Sequence, residues 1–174
     1  MSTLLIRQKL IEIARAEIGT VETPPGSNKG KRVREYQSTC TLAEETPTGW
    51  PWCAAFVCWC VKEWLKDQDV LEAFKFTPKQ AESWRPKTAA AYGFHGWAEK
   101  KGLLVMDDNI QNTLHTADIV TYDFSHVGLV ETDAGFDIHT IEGNTDGQGS
   151  RDGGGVFTKV RARSLAKRFI RLID

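Results

Sequence analysis

Four residues in this chain are of the types that thiol-based acyl chemistry requires. Cys53 follows Pro51-Trp52 and opens the run Ala54-Ala55-Phe56-Val57-Cys58-Trp59-Cys60, the most apolar stretch of the sequence. Pro51 suits the first position of a helix, which puts Cys53 in the first turn. There the free N–H groups and the positive end of the helix dipole favour a thiolate. Such a nucleophile needs a base within hydrogen-bond reach and a third group to orient that base. Of His95, His115, His126 and His139, His126 is the best placed. It stands at the mouth of the strand His126-Val127-Gly128-Leu129-Val130, after a tight turn, and Gly128 leaves room beside it on the same face. In the next strand, alternation puts Glu142 and Asn144 on one face and His139 on the other. Either Glu142 or Asn144 could accept the imidazole N–H. Each residue also has a plain structural reading: a small core cysteine, a satisfied histidine, an ordinary polar turn.

The elements that must position these groups follow from periodicity. Thr3 is a candidate cap for a helix to about Ile18, with Ile6, Leu10, Ile13 and Ala14 at helical spacing and Gly19 as its stop. Glu22 to Asn28 is a turn-rich loop, and Asn28 is a candidate cap for a short helix through Val33 and Tyr36. The Cys53 helix is apolar nearly all round, so it is expected to be buried, and Glu63 to Lys66 reads as its exit to solvent. A short helix around Val70 to Phe74 precedes a predicted loop holding Pro78 and Pro86. Thr88 to Lys100 reads as a helix, with Ala91, Phe94, Trp97 and Ala98 inward and Gly102 as its end. Strands are predicted at Ala117–Tyr122, His126–Glu131, Phe136–Gly143, Gly155–Val160 and Arg168–Ile173. The turns Asp123-Phe124-Ser125, Asp133-Ala134-Gly135 and Asp146-Gly147-Gln148-Gly149 separate them. Short links between strands imply an antiparallel meander. Helices first and strands second is the α+β pattern.

The 174 residues suit one domain, 1–174, with a substantial core, and no repeat or linker divides it. A net charge of -1 argues against a nucleic-acid partner. No apolar run is long enough for a membrane span. Met1 to Arg7 lacks the pattern of a signal peptide, so synthesis in the cytoplasm is expected, with any extracellular work needing another exit. The cysteines, Cys40, Cys53, Cys58 and Cys60, do not form a secreted-type disulfide framework. On a helix Cys58 and Cys60 point about 200° apart, and Cys53 and Cys60 sit about 10 Å apart along the axis. A metal site built from them is not expected. Trp50 and Trp52 flank Cys53 and are candidate walls of a substrate groove, one of them doubling as core. Lys159, Arg161, Arg163, Lys167, Arg168 and Arg171 read as a solvated strand face, with contact to anionic polymers as the alternative. Asp118 reads as a surface residue at a strand start.

Taken together, Pro51-Trp52-Cys53-Ala54-Ala55-Phe56-Val57-Cys58-Trp59-Cys60, Ala117-Asp118-Ile119-Val120 before Ser125-His126-Val127-Gly128-Leu129-Val130, and Ile141-Glu142-Gly143-Asn144-Thr145 resemble the CHAP family, the papain-like cysteine, histidine-dependent amidohydrolases/peptidases. Ile18-Gly19, Glu22 and Gly26-Ser27-Asn28-Lys29-Gly30 are similar to its bacterial and phage branch. The resemblance implies a papain-like α+β domain, N-terminal helices packed on a C-terminal antiparallel sheet of about five to six strands. It implies cleavage of amide bonds in peptidoglycan, either as an N-acetylmuramoyl-L-alanine amidase or as a peptide endopeptidase. Cys53 matches the nucleophile, His126 the base, Glu142 the acidic orienting residue and Asn144 its polar neighbour. No cofactor is implied, the partner is peptidoglycan, and a monomer is expected. Some phage members resemble one another in an Asp-rich calcium loop before the cysteine. Ser38 to Gly49 lacks an alternating Asp series, so no calcium site is expected. A phage-type lysis protein, or endolysin, released through a membrane pore fits these expectations, as does a lysin exported by another route. The rival functions are a non-catalytic wall-binding module of the same fold and a cytoplasmic thiol amidohydrolase with another substrate.

Overall fold

The computed structural model describes residues 2–107, 111–147 and 153–174. Helices α1 (Thr3–Ala16), α2 (Lys31–Gln37), α3 (Cys53–Trp64), α4 (Gln68–Phe74), α5 (Pro78–Trp84) and α6 (Gly93–Lys101) precede the sheet. The strands are β1 (Leu104–Met106), β2 (Ile119–Tyr122), β3 (His126–Ala134), β4 (Asp137–Thr145), β5 (Gly155–Ala162) and β6 (Ala166–Arg171). The fold is α+β, with the sheet in the order β1-β6-β2-β3-β4-β5 and every described pairing antiparallel. The expected meander covers β2 to β5. β6 departs from it by returning to pair β2 on one side and β1 on the other.

One face of the sheet carries Ile119, Val127, Leu129, Ile141 and Ile170 into the main core, where they meet the helices. α3 lies at the centre of that core and packs on β3 and β4. Its residues from Cys53 to Cys58 are all buried, as an all-round apolar helix must be. α1 packs across α3, and the Trp64 indole donates to the Ile6 carbonyl at 2.8 Å. The opposite face carries a smaller cluster with Val120, Tyr122, Val130, Ile138 and Phe169.

Several local expectations shift. Ser2, not Thr3, caps α1, its hydroxyl accepting from the Leu5 N–H. Asn28 does not cap α2. It adopts a left-handed conformation, and its N–H donates to Glu22, while Gly30 holds the cap position. α3 begins at Cys53, so Pro51 lies before the helix and Trp52 occupies the cap. The loop expected around Pro78 is α5: Thr77 and Gln80 form a capping box, and Pro78 sits in the first turn, where it lacks only an N–H that would be unpaired anyway. α6 starts at Gly93 rather than Thr88, and Gly102 ends it in the left-handed conformation. β1 was not expected, since a strand of three residues is too short for alternation to show. Of the predicted turn at 146–149, Gln148 and Gly149 lie outside the described residues.

Candidate active site

Cys53 is the first residue of α3. The first bond within the helix runs from the Phe56 N–H to the Trp52 carbonyl (2.9 Å), so the N–H groups of Cys53, Ala54 and Ala55 have no partner inside the helix. They point toward the open end, beside the thiol. What brings this end to the sheet is close packing at Gly143. A Cβ there would stand 2.7 Å from Phe56 Cβ and 2.9 Å from the Trp52 ring, so only glycine permits the approach.

His126 is the first residue of β3 and is buried. The turn that delivers it is fastened by Tyr92, whose hydroxyl accepts from the Ser125 N–H (3.2 Å) and sits 2.8 Å from the Asp123 carbonyl. The His126 ring stacks on Phe124, with centroids 5.9 Å apart, and lies at 6.1 Å from Tyr122. These contacts hold its plane.

Behind the ring lies Glu142, fully buried on β4. His126 Nε2 is 3.0 Å from Glu142 Oε2. The ring's N–H is not aligned along that line, so the contact is an ion pair rather than a well-formed hydrogen bond. Gly128 is what admits the carboxylate, because a Cβ at 128 would stand 2.7 Å from Glu142 Cγ. Nε2 turned to Glu142 leaves Nδ1 as the nitrogen available to the thiol. Burial pushes the imidazole pKa down, but the Cys53 thiol and Glu142 outweigh it and raise His126 to about 9. Burial likewise pushes Glu142 up, and His126 and Arg161 outweigh that and hold it down at about 2.

Arg161 is the partner that reading the sequence missed. It donates from Nε to Glu142 Oε1 (3.1 Å) and from Nη2 to Oε2 (2.6 Å). Tyr122 and Thr140 hydroxyls donate to the same Oε1 at 2.9 and 2.7 Å. The basic segment read as a solvated face is therefore largely internal: Lys159, Arg161, Arg163 and Arg171 are all buried. Asp118 is also buried, not at the surface, and pairs with Arg171 at 2.9 Å. The register explains Arg161. β5 pairs with β4 so that Arg161 lies opposite Ile138, on the face that carries Thr140 and Glu142. Composition along β5 alone contains no such information.

Cys53, His126 and Asn144 line one cleft of about 280 Å³ together with Trp50, Leu42 and Ala89 to Ala91. Alternation does not carry Asn144 to where Glu142 stands. The β4–β5 register shifts between Glu142 and Thr145, and Asn144 takes a left-handed conformation with φ of 57°. Glu142 is thus behind the imidazole, and Asn144 is in the cleft wall. Trp50 lines the cleft, tied by its indole to the Thr46 carbonyl at 2.8 Å. Trp52 does not line it. Its ring is fully buried, stacked on Tyr36, with its N–H donated to Glu22 at 2.8 Å, so it supports the helix end from inside.

The family model of the CHAP domain matches residues 45–144, more than half of the chain. The chain belongs to the CHAP domain family, and its fold is papain-like. CHAP domains are amidase or peptidase hydrolases that act generally on peptidoglycan. The match spans Cys53, His126, Glu142 and Asn144, whereas Arg161 lies beyond it. A search of curated proteins found no match to the chain. Among the described residues, no helix is long and apolar enough to cross a membrane.

Proposed function

We propose that this protein is a cysteine peptidoglycan hydrolase, cleaving either the N-acetylmuramoyl-L-alanine bond or an amide within the stem peptide. The supporting observation is the single constellation of a thiol at a helix N-terminus, an imidazole lining the same cleft, and a buried carboxylate 3.0 Å behind that imidazole. In the reading, His126 takes the Cys53 proton, and the thiolate attacks the substrate carbonyl carbon. The tetrahedral oxyanion is held by N–H groups at the start of α3. His126 then protonates the leaving amine as the C–N bond breaks, which leaves a thioester on Cys53. Water, deprotonated by His126, attacks the thioester, releases the carboxylic acid and restores the thiol. Glu142 orients the ring and stabilises the imidazolium, and Asn144 helps to shape the cleft beside it. Thiol, imidazole and carboxylate supply every role, so the mechanism uses no cofactor.

As a monomer, the protein would reach the wall after release through a membrane pore, as a phage lysis protein does, or by another export route. The test is incubation with purified peptidoglycan and mass spectrometry of the products. New lactyl carboxylates paired with free L-alanine amines identify an amidase, and new termini inside the stem identify an endopeptidase. Intact peptidoglycan after prolonged incubation would refute the proposal.

A further inference from the structure

The catalytic cleft does not end at its own rim. Leu42, Ala89 and Ala90 form its wall and also line a second, larger groove of about 800 Å³. That groove runs away from Cys53 over α6, past Gly96 and Trp97 to Lys100 and Lys101.

Two independent features of the groove point to a ligand. The first is charge. Its lining contains Arg85, Lys87, Lys100 and Lys101 and no acidic side chain. Arg85 and Lys87 share one carboxylate, Glu82. Among the described residues, Lys100 and Lys101 make no ion pair, and Lys101 Nζ reaches only the Ser83 carbonyl. The second feature is Gly96. Glycine inside a helix is destabilising relative to alanine, so it calls for a reason. For Gly93 the reason is packing, since a Cβ would fall 2.0 Å from Thr88 Oγ1. At Gly96 a Cβ would meet nothing within 4 Å. The absent side chain leaves the groove floor clear instead.

We infer that this groove is an extended substrate subsite that takes the carboxylate-bearing peptide stem of peptidoglycan, with Lys100 and Lys101 meeting its anionic groups and Gly96 keeping its path open. The cleft at Cys53 supports the division of labour. Apart from His126, its lining has no ionisable side chain other than the thiol itself, and Ala89 to Ala91 make one wall small and apolar. Such a cleft suits an uncharged scissile segment, while the substrate's charges are held at a distance by the lysines. The inference rests on the peptidoglycan reading above, and its test separates the two.

The test measures binding rather than turnover, in the Cys53→Ala protein, by calorimetry. The probes are a soluble disaccharide-peptide fragment with free side-chain carboxylates, the same fragment with those carboxylates amidated, and a soluble glycerol-phosphate polymer. The groove predicts that Lys100→Glu with Lys101→Glu weakens binding of the free-carboxylate fragment about tenfold or more, and that amidation of the fragment does the same to the parent. Gly96→Phe should also weaken it, whereas Gly96→Ala should retain binding and raise the melting temperature. Should Gly96→Phe fail to fold, the lysine pair still decides. Affinity that is absent in the parent, or unchanged by the lysine reversals, overturns the groove. Losses confined to the phosphate polymer overturn its assignment to peptide carboxylates. Failure of the unsubstituted protein to cleave peptidoglycan would instead overturn the catalytic reading, which these binding measurements do not touch.

Discussion

The two faces of the sheet solve different problems. The face toward α3 is apolar where it meets that helix, and it places the thiol by shape: Gly143 lets the helix end come close, while Trp52 and Phe56 fill the space around it. The opposite face buries charge. There Glu142 is surrounded by His126, Arg161, Tyr122 and Thr140, and each of them meets the carboxylate. Packing tolerates small errors in side-chain choice. A buried ion pair does not, because removing one partner strands the other in a medium that disfavours charge. Changes around the thiol should therefore cost less than changes around the imidazole.

The largest expected effect is on the charged face. Glu142→Gln should lower the rate of peptidoglycan hydrolysis about 10²- to 10⁴-fold and lower the His126 pKa from about 9, as read by an NMR titration. An unchanged rate and pKa, with activity lost in Asn144→Ala, would reverse the roles of these two residues. Arg161→Met should cost about 3–5 kcal/mol of folding stability. It should also move the His126 pKa upward, since Glu142 would no longer share its charge with the guanidinium. A melting curve and the alkaline limb of a pH–rate profile would report both. A destabilised variant with an unmoved alkaline limb would make Arg161 a purely structural residue.

On the apolar face, Gly143→Ala should cost about 1–3 kcal/mol through overpacking and reduce activity by displacing the start of α3. Cys58→Ala leaves only a small cavity and should cost about 1 kcal/mol while keeping most activity. Denaturant melts and rates on the two variants test the contrast. Loss of activity in Cys58→Ala comparable to that expected for Cys53→Ala would refute a single nucleophile.

The same network sets the pH range. Glu142 is held at about 2, below its ordinary 4.5, so its contribution to stability is complete above about 4.5 and is lost as pH falls toward 2. His126 is raised from 6.5 to about 9, so its contribution is complete below about 6.5 and disappears as pH rises through 9. Stability measured across pH should decline at both ends, and Glu142→Gln should flatten the decline at both.

What could be read from the sequence follows the same division. The apolar run after Cys53, the strand opening at His126, and the Glu142 alternation rest on local periodicity, and the structure places all three where periodicity puts them. Arg161 was illegible because its role depends on which β4 residue lies opposite it, and cross-strand register is not written in β5 alone. Asn144 was misplaced for a related reason: the register shift at the end of β4 breaks the two-residue period on which the expectation stood. α5 was hidden by Pro78, which punctuates a chain equally well before a loop or in the first helical turn, although Thr77 and Gln80 carried the capping signal.

The central claim is that Cys53 and His126 act as one catalytic unit, and the most direct measurement is a double-mutant comparison of kcat/KM on one peptidoglycan preparation. Residues acting as a unit give losses that do not multiply. Cys53→Ala and His126→Ala should each remove at least about three orders of magnitude of activity, and the double variant should be no slower than either. Losses that multiply in the double variant, or a Cys53→Ala protein that cleaves at a rate near the unsubstituted one, would contradict the account.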